Sequence, residues 1–216
     1  MAWGEPIPSL FNIMANLVTL QQYKDFSGIK GVNEDAKINV ILPAISQAVK
    51  TYCGTSFIDF YSTDKTEFFD ILDTSTTAVM VDESPLVSVS QVQERENQSS
   101  SYVTLITENS NGSGKYEYIV DTALDMIRRT TATSDKAFPK GRKAVKVVYR
   151  SGYASTPSDL KLACFDLIKY YLKDERKSGL TIAGATVRNE VSTTLRENIG
   201  FPDHIKRILD FYKVHK

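Results

Sequence analysis

The chain has 216 residues, enough for one domain with a sizeable core or a domain carrying arms. Hydrophobic residues make up 42% and charged residues 24%, the balance of an ordinary globular protein rather than a disordered or fibrous one. With 26 basic and 26 acidic residues the formal net charge is zero, which argues against a generally basic nucleic-acid binder and leaves only local patches to consider.

Residues 1–18 read as an arm. Pro6 and Pro8 favour extended backbone, and Leu10, Phe11, Ile13, Met14 and Leu17 have the spacing of a short amphipathic helix suited to docking on something. The same stretch lacks a basic start and is a poor secretion signal. No segment approaches the ~20 apolar residues of a membrane-spanning helix. The expectation is a protein kept in a cytoplasm, with no membrane partner.

Thr19 is a good N-cap for a short helix from Leu20 to Phe26, ended by Gly28. Asn33 is the expected cap of the next helix, with Glu34 and Asp35 in its first turn, where the helix dipole favours acid. Ile38, Ile41, Leu42, Ile45, Ala48, Val49 and Tyr52 follow helical spacing up to Gly54. Pro43 lies inside this pattern and is expected to kink the helix or split it.

From Thr55 to Arg150 the texture becomes β-like. The runs 57–61, 78–81, 87–92, 102–106, 116–120, 126–129 and 144–149 are short and β-rich, with turn-forming clusters between them. About six or seven antiparallel strands are expected, forming a small sheet or barrel. Within this region Asp59, Asp64, Glu67, Asp70, Asp73, Asp82 and Glu83 are acidic. Lys136, Lys140, Arg142, Lys143, Lys146 and Arg150 are basic, and no acid occurs between Lys136 and Ser158. The basic stretch is expected to form a hairpin. It reads either as a solvated surface or as a patch facing DNA phosphates or the acidic region of an adjacent copy.

Pro157-Ser158-Asp159 opens a second long helix. Leu160, Ala163, Cys164, Leu167, Ile168 and Tyr171 form one stripe, and Leu162, Phe165 and Leu172 form a second apolar line at an angle to it. A helix that needs to bury only one face needs one stripe. The second line therefore marks Leu162, Phe165 and Leu172 as candidates for packing between subunits. Residues 177–201 are rich in Gly, Thr and Ser without clear periodicity and read as an extended arm. A last helix over 202–214 carries Ile205, Ile208, Leu209 and Tyr212 on one face, which suits docking in a partner's groove.

No catalytic constellation emerges. His204 and His215 have no second His or Cys at a ligand-like spacing, and no base is available for a Ser or Cys nucleophile in the body. Gly114-Lys115 lacks the rest of a phosphate-binding loop, and the acids lack the ordered spacing of a calcium loop. Cys53 and Cys164 read as buried reduced thiols, able to pair only if their helices lie side by side. No enzyme activity, metal or cofactor is expected.

Several runs carry a resemblance. Leu17 to Ile29 (LVTLQQYKDFSGI) followed by Asn33 to Phe57 (NEDAKINVILPAISQAVKTYCGTSF) gives a short helix, then a long one ending in Tyr-Cys-Gly and an aromatic. Val145 to Arg176 gives a strand ending in Tyr-x-x-Gly-Tyr, then a Pro-led helix with a charged end. Gly200 to Lys213 gives a Pro followed by two aliphatics and a Tyr. Together these resemble the head-tail connector, or adaptor, proteins of tailed bacteriophages, also described as head completion proteins. The β-rich middle is longer than in minimal members, and residues 1–16 are additional.

The residue patterns point to an α+β fold, a small helical bundle with an inserted antiparallel sheet or small barrel and extended N- and C-terminal arms. They give an arm over 1–18 and a body over 19–176, the adaptor domain of the resemblance, in which helices 19–54 and 157–176 bracket the insert 55–150. A C-terminal arm would follow over 177–216, with the docking helix 202–214. The implied role is a structural adaptor of the phage neck, located in the virion and assembled in the host cytoplasm. Copies of the chain, about twelve, would ring the underside of the portal protein. The ring would extend the DNA channel, let packaged DNA pass without reading its sequence, and link the head to a downstream neck or tail protein. The C-terminal helix would grip the portal. Two alternatives stay open: a nucleic-acid-binding protein using the basic 136–150 hairpin, and another completion protein of the neck or tail, such as a stopper or tail terminator.

Overall fold

The computed structural model describes residues 15–106, 117–131, 134–172, 180–182, 185–187 and 201–214. Helix α1 (Leu20–Ser27) begins with a reciprocal capping box. The Thr19 hydroxyl accepts from the Gln22 N–H, and the Gln22 side chain accepts from the Thr19 N–H. Gly28 ends the helix in the left-handed conformation, φ 69°.

Helix α2 (Asp35–Cys53) corrects the expected cap. Its N-cap is Glu34, not Asn33, and no side chain caps it; the Asp35 N–H instead donates to the Val32 carbonyl. Asp35 is engaged by Lys24 at 2.9 Å, which ties α1 to α2. Pro43 does not split the helix. The carbonyl that loses its partner is that of Asn39, an exposed residue, so water can satisfy it.

Seven strands follow: β1 (Lys65–Ile71), β2 (Ala78–Met80), β3 (Leu86–Glu94), β4 (Val103–Thr104), β5 (Tyr118–Asp121), β6 (Met126–Arg129) and β7 (Gly141–Ser151). They form a four-stranded antiparallel sheet, β1-β7-β3-β4, and a three-stranded one, β2-β6-β5. The inner residues of both sheets share one core, including Ile71, Val79, Val92, Tyr118, Ile127, Val145 and Val147. Arg129 on β6 crosses between the layers, its guanidinium paired with Glu94 on β3 through two bonds of 2.9 and 3.0 Å.

Two β expectations fail. Residues 57–61 form turns rather than a strand, because Phe57 takes the left-handed conformation at φ 59° and the chain folds back at once. Residues 136–150 are not a hairpin. They are a loop and then the central strand β7, flanked by β1 and β3. Strand β1 was not expected, because its inward positions include Lys65 and Glu67, which break the apolar alternation; both are partnered, Lys65 by Glu83 and Glu67 by Tyr149.

Helix α3 (Ser158–Leu172) packs on α2, and helix α4 (Asp203–Asp210) packs on both. Between α3 and α4, β8 (Leu180–Ile182) and β9 (Ala185–Val187) pair with each other as an antiparallel hairpin inside the segment read as an extended arm. The helical core gathers Ile38, Leu42, Val49, Leu160, Leu167, Ile168, Ile205 and Leu209. Leu17 and Val18, expected in an arm, are also buried there, and the Leu17 carbonyl accepts from Thr156 at 2.6 Å. The proposed N-terminal helix of the arm lies outside the described residues.

Where the helical and β cores meet, the resemblance motifs find their physical reason. Gly54 caps α2 in the left-handed conformation, and Phe57 follows into the core. Gly152 (φ 95°) lies against it so closely that a Cβ there would sit 1.9 Å from the Phe57 carbonyl oxygen. That oxygen accepts the Tyr153 N–H at 2.7 Å. The Tyr-Cys-Gly-aromatic motif and the Tyr-x-x-Gly-Tyr motif are thus two sides of one junction.

Candidate functional site

The face expected to dock on a partner, Ile205, Ile208, Leu209 and Tyr212, is turned into the chain's own helical core. Ile205 and Leu209 are fully buried, and Ile208 and Tyr212 pack against the same core. Tyr212 sits edge-on to Phe57 and Tyr153, and its hydroxyl donates to Asp159 at 2.6 Å; burial and that carboxylate push its phenol well above the ordinary range. The Val214 N–H donates to the Cys53 carbonyl, and the Cys53 thiol lies 3.6 Å from the Leu209 carbonyl. Burial, reinforced by Asp210, pushes that thiol up to about 12, so it stays protonated and inert. An amphipathic pattern cannot say whether the covering surface is foreign or its own. Here it is its own, and Phe211, 86% exposed, is the large apolar residue the segment leaves outside.

The second apolar line of α3 separates in the same way. Phe165 is buried and stacks on Phe26 of α1 at 4.8 Å, with Tyr23 at 6.1 Å. Leu172 is half-buried against the helical core. Leu162 alone is exposed, at 44%. Two of the three residues are therefore covered within the chain, Phe165 by α1 and Leu172 by the helical core.

The basic residues are dispersed. Lys136, Lys140, Arg142 and Lys143 are exposed, and Lys146 is half-buried on the outer face of β7. Lys143 has φ 48°; its N–H donates to Asp70, its carbonyl accepts from Arg95 and Tyr102, and its ammonium lies 5.5 Å from the Phe68 ring centre. Arg95, absent from the sequence reading, stacks over Tyr102 at 4.8 Å. Strand pairing, not sequence proximity, joins these residues into a basic and aromatic corner.

The acidic region is largely partnered within the chain. Asp59 binds the buried Lys50, Asp64 binds Arg150 at 2.7 Å, and Glu83 receives Ser56, Thr55 and Lys65. Burial opposes the charge of Glu83, yet the Ser56 N–H and Lys65 hold its carboxyl below the usual range. Glu67 goes the other way, raised by burial beside the Tyr149 hydroxyl. These acids hold β1 and the post-α2 turn to the body, so the acidic face expected for a neighbouring copy is mostly occupied internally.

Two surfaces escaped the sequence reading. One is an open apolar groove of about 540 Å³ along the outer side of α2, lined by Val40, Ile41, Ala44 and Ala48 with Tyr171 and Phe201. Val40 and Ala44 extend the apolar pattern beyond the buried stripe, which was the available signal. The other is a smaller hollow of about 200 Å³, where Phe211 meets Met80, Asp125 and Tyr153. Among the described residues no cluster of His, Cys, Asp and Glu could hold a metal ion, and no helix is long and apolar enough to cross a membrane. His204 is exposed, and His215 lies outside the described residues.

A family model described as "Head completion protein" matches residues 16–215. Among curated proteins none matches the chain. Among solved structures, a chain in the neck of an empty gene transfer agent particle computed with C6 symmetry is similar at TM-score 0.55 and 14% identity, covering 98% of this chain and 95% of that one. The neck of the native particle computed with C12 symmetry gives TM-score 0.55 and 12% identity over the same shares. The virion of the native particle gives 0.54 and 14%, covering 93% and 91%. At these identities the likeness is one of fold, and it spans both the helical body and the β insert.

Proposed function

The chain belongs to the head completion protein family, and we propose that it is a structural adaptor of a phage neck, forming a ring below the portal and joining the head to the next neck or tail protein. The observation that carries this reading is the family match across both cores, from residue 16 to residue 215. The likeness to gene transfer agent necks, studied with six- and twelve-fold symmetry, supports a ring of copies located in the virion neck. An assembly role also suits a chain whose ionisable clusters serve to hold its own elements together.

The portal, the downstream protein and the DNA enter as finer parts of this proposal. Ile205 and Leu209 fix α4 to the body, which leaves Phe211 and the partly exposed edges of Ile208 and Tyr212 as the portal-facing candidates. Leu162 is the remaining candidate of its trio for packing on a neighbour. Arg142, Lys143 and Lys146, joined by Arg95, are the residues proposed to face passing DNA, with Lys136 and Lys140 on the loop before them. Phosphate contacts of this kind carry no sequence information. A free nucleic-acid binder is the weaker reading, because Asp64 and Asp70 interrupt the basic surface.

The test is a particle without this protein. DNA-filled heads that fail to join tails are expected by electron microscopy, and an unchanged yield of infectious tailed particles would overturn the reading. Reversing Arg142, Lys143 and Lys146 to Glu should lower DNA retention or ring assembly; normal, filled virions would remove these residues from the channel.

A further inference from the structure

The apolar groove along α2 has no cover within the described residues. Val40 is 74% exposed, and Val40, Ala44 and Ala48 lie one turn apart, giving a straight apolar strip between the walls formed by Tyr171 and Phe201. Those two residues are also where the chain leaves the body after α3 and where it returns before α4. The span between, residues 173–200, is 28 residues long. Out and back, at ~3.3 Å per residue, it can reach roughly 45 Å, well past the roughly 16 Å radius of gyration of a body this size.

Within that span the β8–β9 hairpin joins neither of the other sheets. Its register pairs Leu180 with Val187, Thr181 with Thr186 and Ile182 with Ala185, so the apolar pairs alternate with the threonine pair along the ladder. A lone two-stranded hairpin is at best marginal in water and needs a further surface to pack on. The chain therefore carries a hairpin rich in apolar residues within a 28-residue span, and an apolar groove where that span leaves and rejoins the body. In a closed ring, where each copy meets the next through unlike surfaces, these are two complementary halves.

We propose that the α2 groove seats the β8–β9 hairpin of the adjacent copy, so that each subunit is latched to its neighbour by an arm. The proposal rests on the ring reading above and adds the surfaces that close it.

The full-length chain tests this with paired cysteines. The native Cys53 and Cys164 are buried and do not compete. Chains carrying Val40→Cys are mixed with chains carrying Ile182→Cys, and rings are scored by electron microscopy before mild oxidation. Covalent dimers between the unlike chains are expected, with none from either chain alone, and a ladder of higher multimers is expected from the double variant. Rings that yield no bond between chains would overturn the latch and leave the neck ring standing. So would a bond formed only within one chain, or a bond to a different neck protein. Absence of rings in the unsubstituted chain, even with portal present, would overturn the ring reading and the latch with it. As a second arm, Val40→Asp should abolish rings while leaving the melting temperature unchanged, because the site is exposed; rings at wild-type yield would overturn the latch.

Discussion

Gly152 has no room for a side chain. A Cβ would fall 1.9 Å from the Phe57 carbonyl oxygen, and the φ of 95° is one that other residues avoid. Gly152→Ala should lower stability by about 2–4 kcal/mol or prevent soluble expression, read by thermal melting. The motif around this glycine was legible in the sequence; its reason was not, because the constraint comes from a residue remote along the chain. Glu83 gives a pH dependence with a definite sign. Although burial opposes its charge, the Ser56 N–H and Lys65 hold its carboxyl below the ordinary glutamate range, so its contribution to stability is complete above that range and is lost as the pH falls through the lower folded value. The melting temperature should therefore drop through the acid range, and Glu83→Gln should flatten part of that drop. At neutral pH the same substitution should cost about 1–3 kcal/mol, because the Ser56 donors and Lys65 lose a charged acceptor. Lys50 was invisible as a core residue: an apolar-stripe reading passes over a lysine, yet this one is buried with its ammonium 2.6 Å from Asp59.

At the scale of elements, periodicity revealed that helices exist and which face each buries. It could not say what covers that face. The last helix is the instructive case, since its apolar side closes the chain's own core. Leu209→Ala should cost about 2–5 kcal/mol by leaving a cavity, whereas Phe211→Ala should change stability by less than about 0.5 kcal/mol. Denaturant unfolding of the two variants checks the contrast; equal losses would contradict the burial pattern. Removing residues 199–216 should lower the melting temperature of the body. Strand β1 escapes an apolar-alternation reading because half of its inner side is polar, Lys65 in an ion pair with Glu83 and Glu67 accepting from the Tyr149 hydroxyl. The loop at 57–61 was mistaken for a strand because its aromatic residues have strand propensity that the left-handed turn at Phe57 overrides.

Across the whole molecule, the class of fold and its bracketed layout were legible because cap residues, helical stripes and turn clusters appear in order. The surfaces were less so. A basic run in the sequence becomes one strand of a sheet whose neighbours supply both Asp64 and Arg95, so surface charge is set by strand order. The junction of the two cores carries a further consequence. The β insert leaves at Phe57 and returns at Tyr153, and a single hydrogen bond of 2.7 Å joins those two points. Entry and exit thus coincide, so the insert behaves as a cassette: its length can change over evolution without moving the helices that hold its ends. A chain in which a short Gly-Ser turn replaces residues 60–151, keeping Asp59 as the partner of the buried Lys50, should keep its helical circular dichroism signal. Cassettes from relatives should be exchangeable at this seam, which makes it the natural cut point for building adaptors that meet different tails.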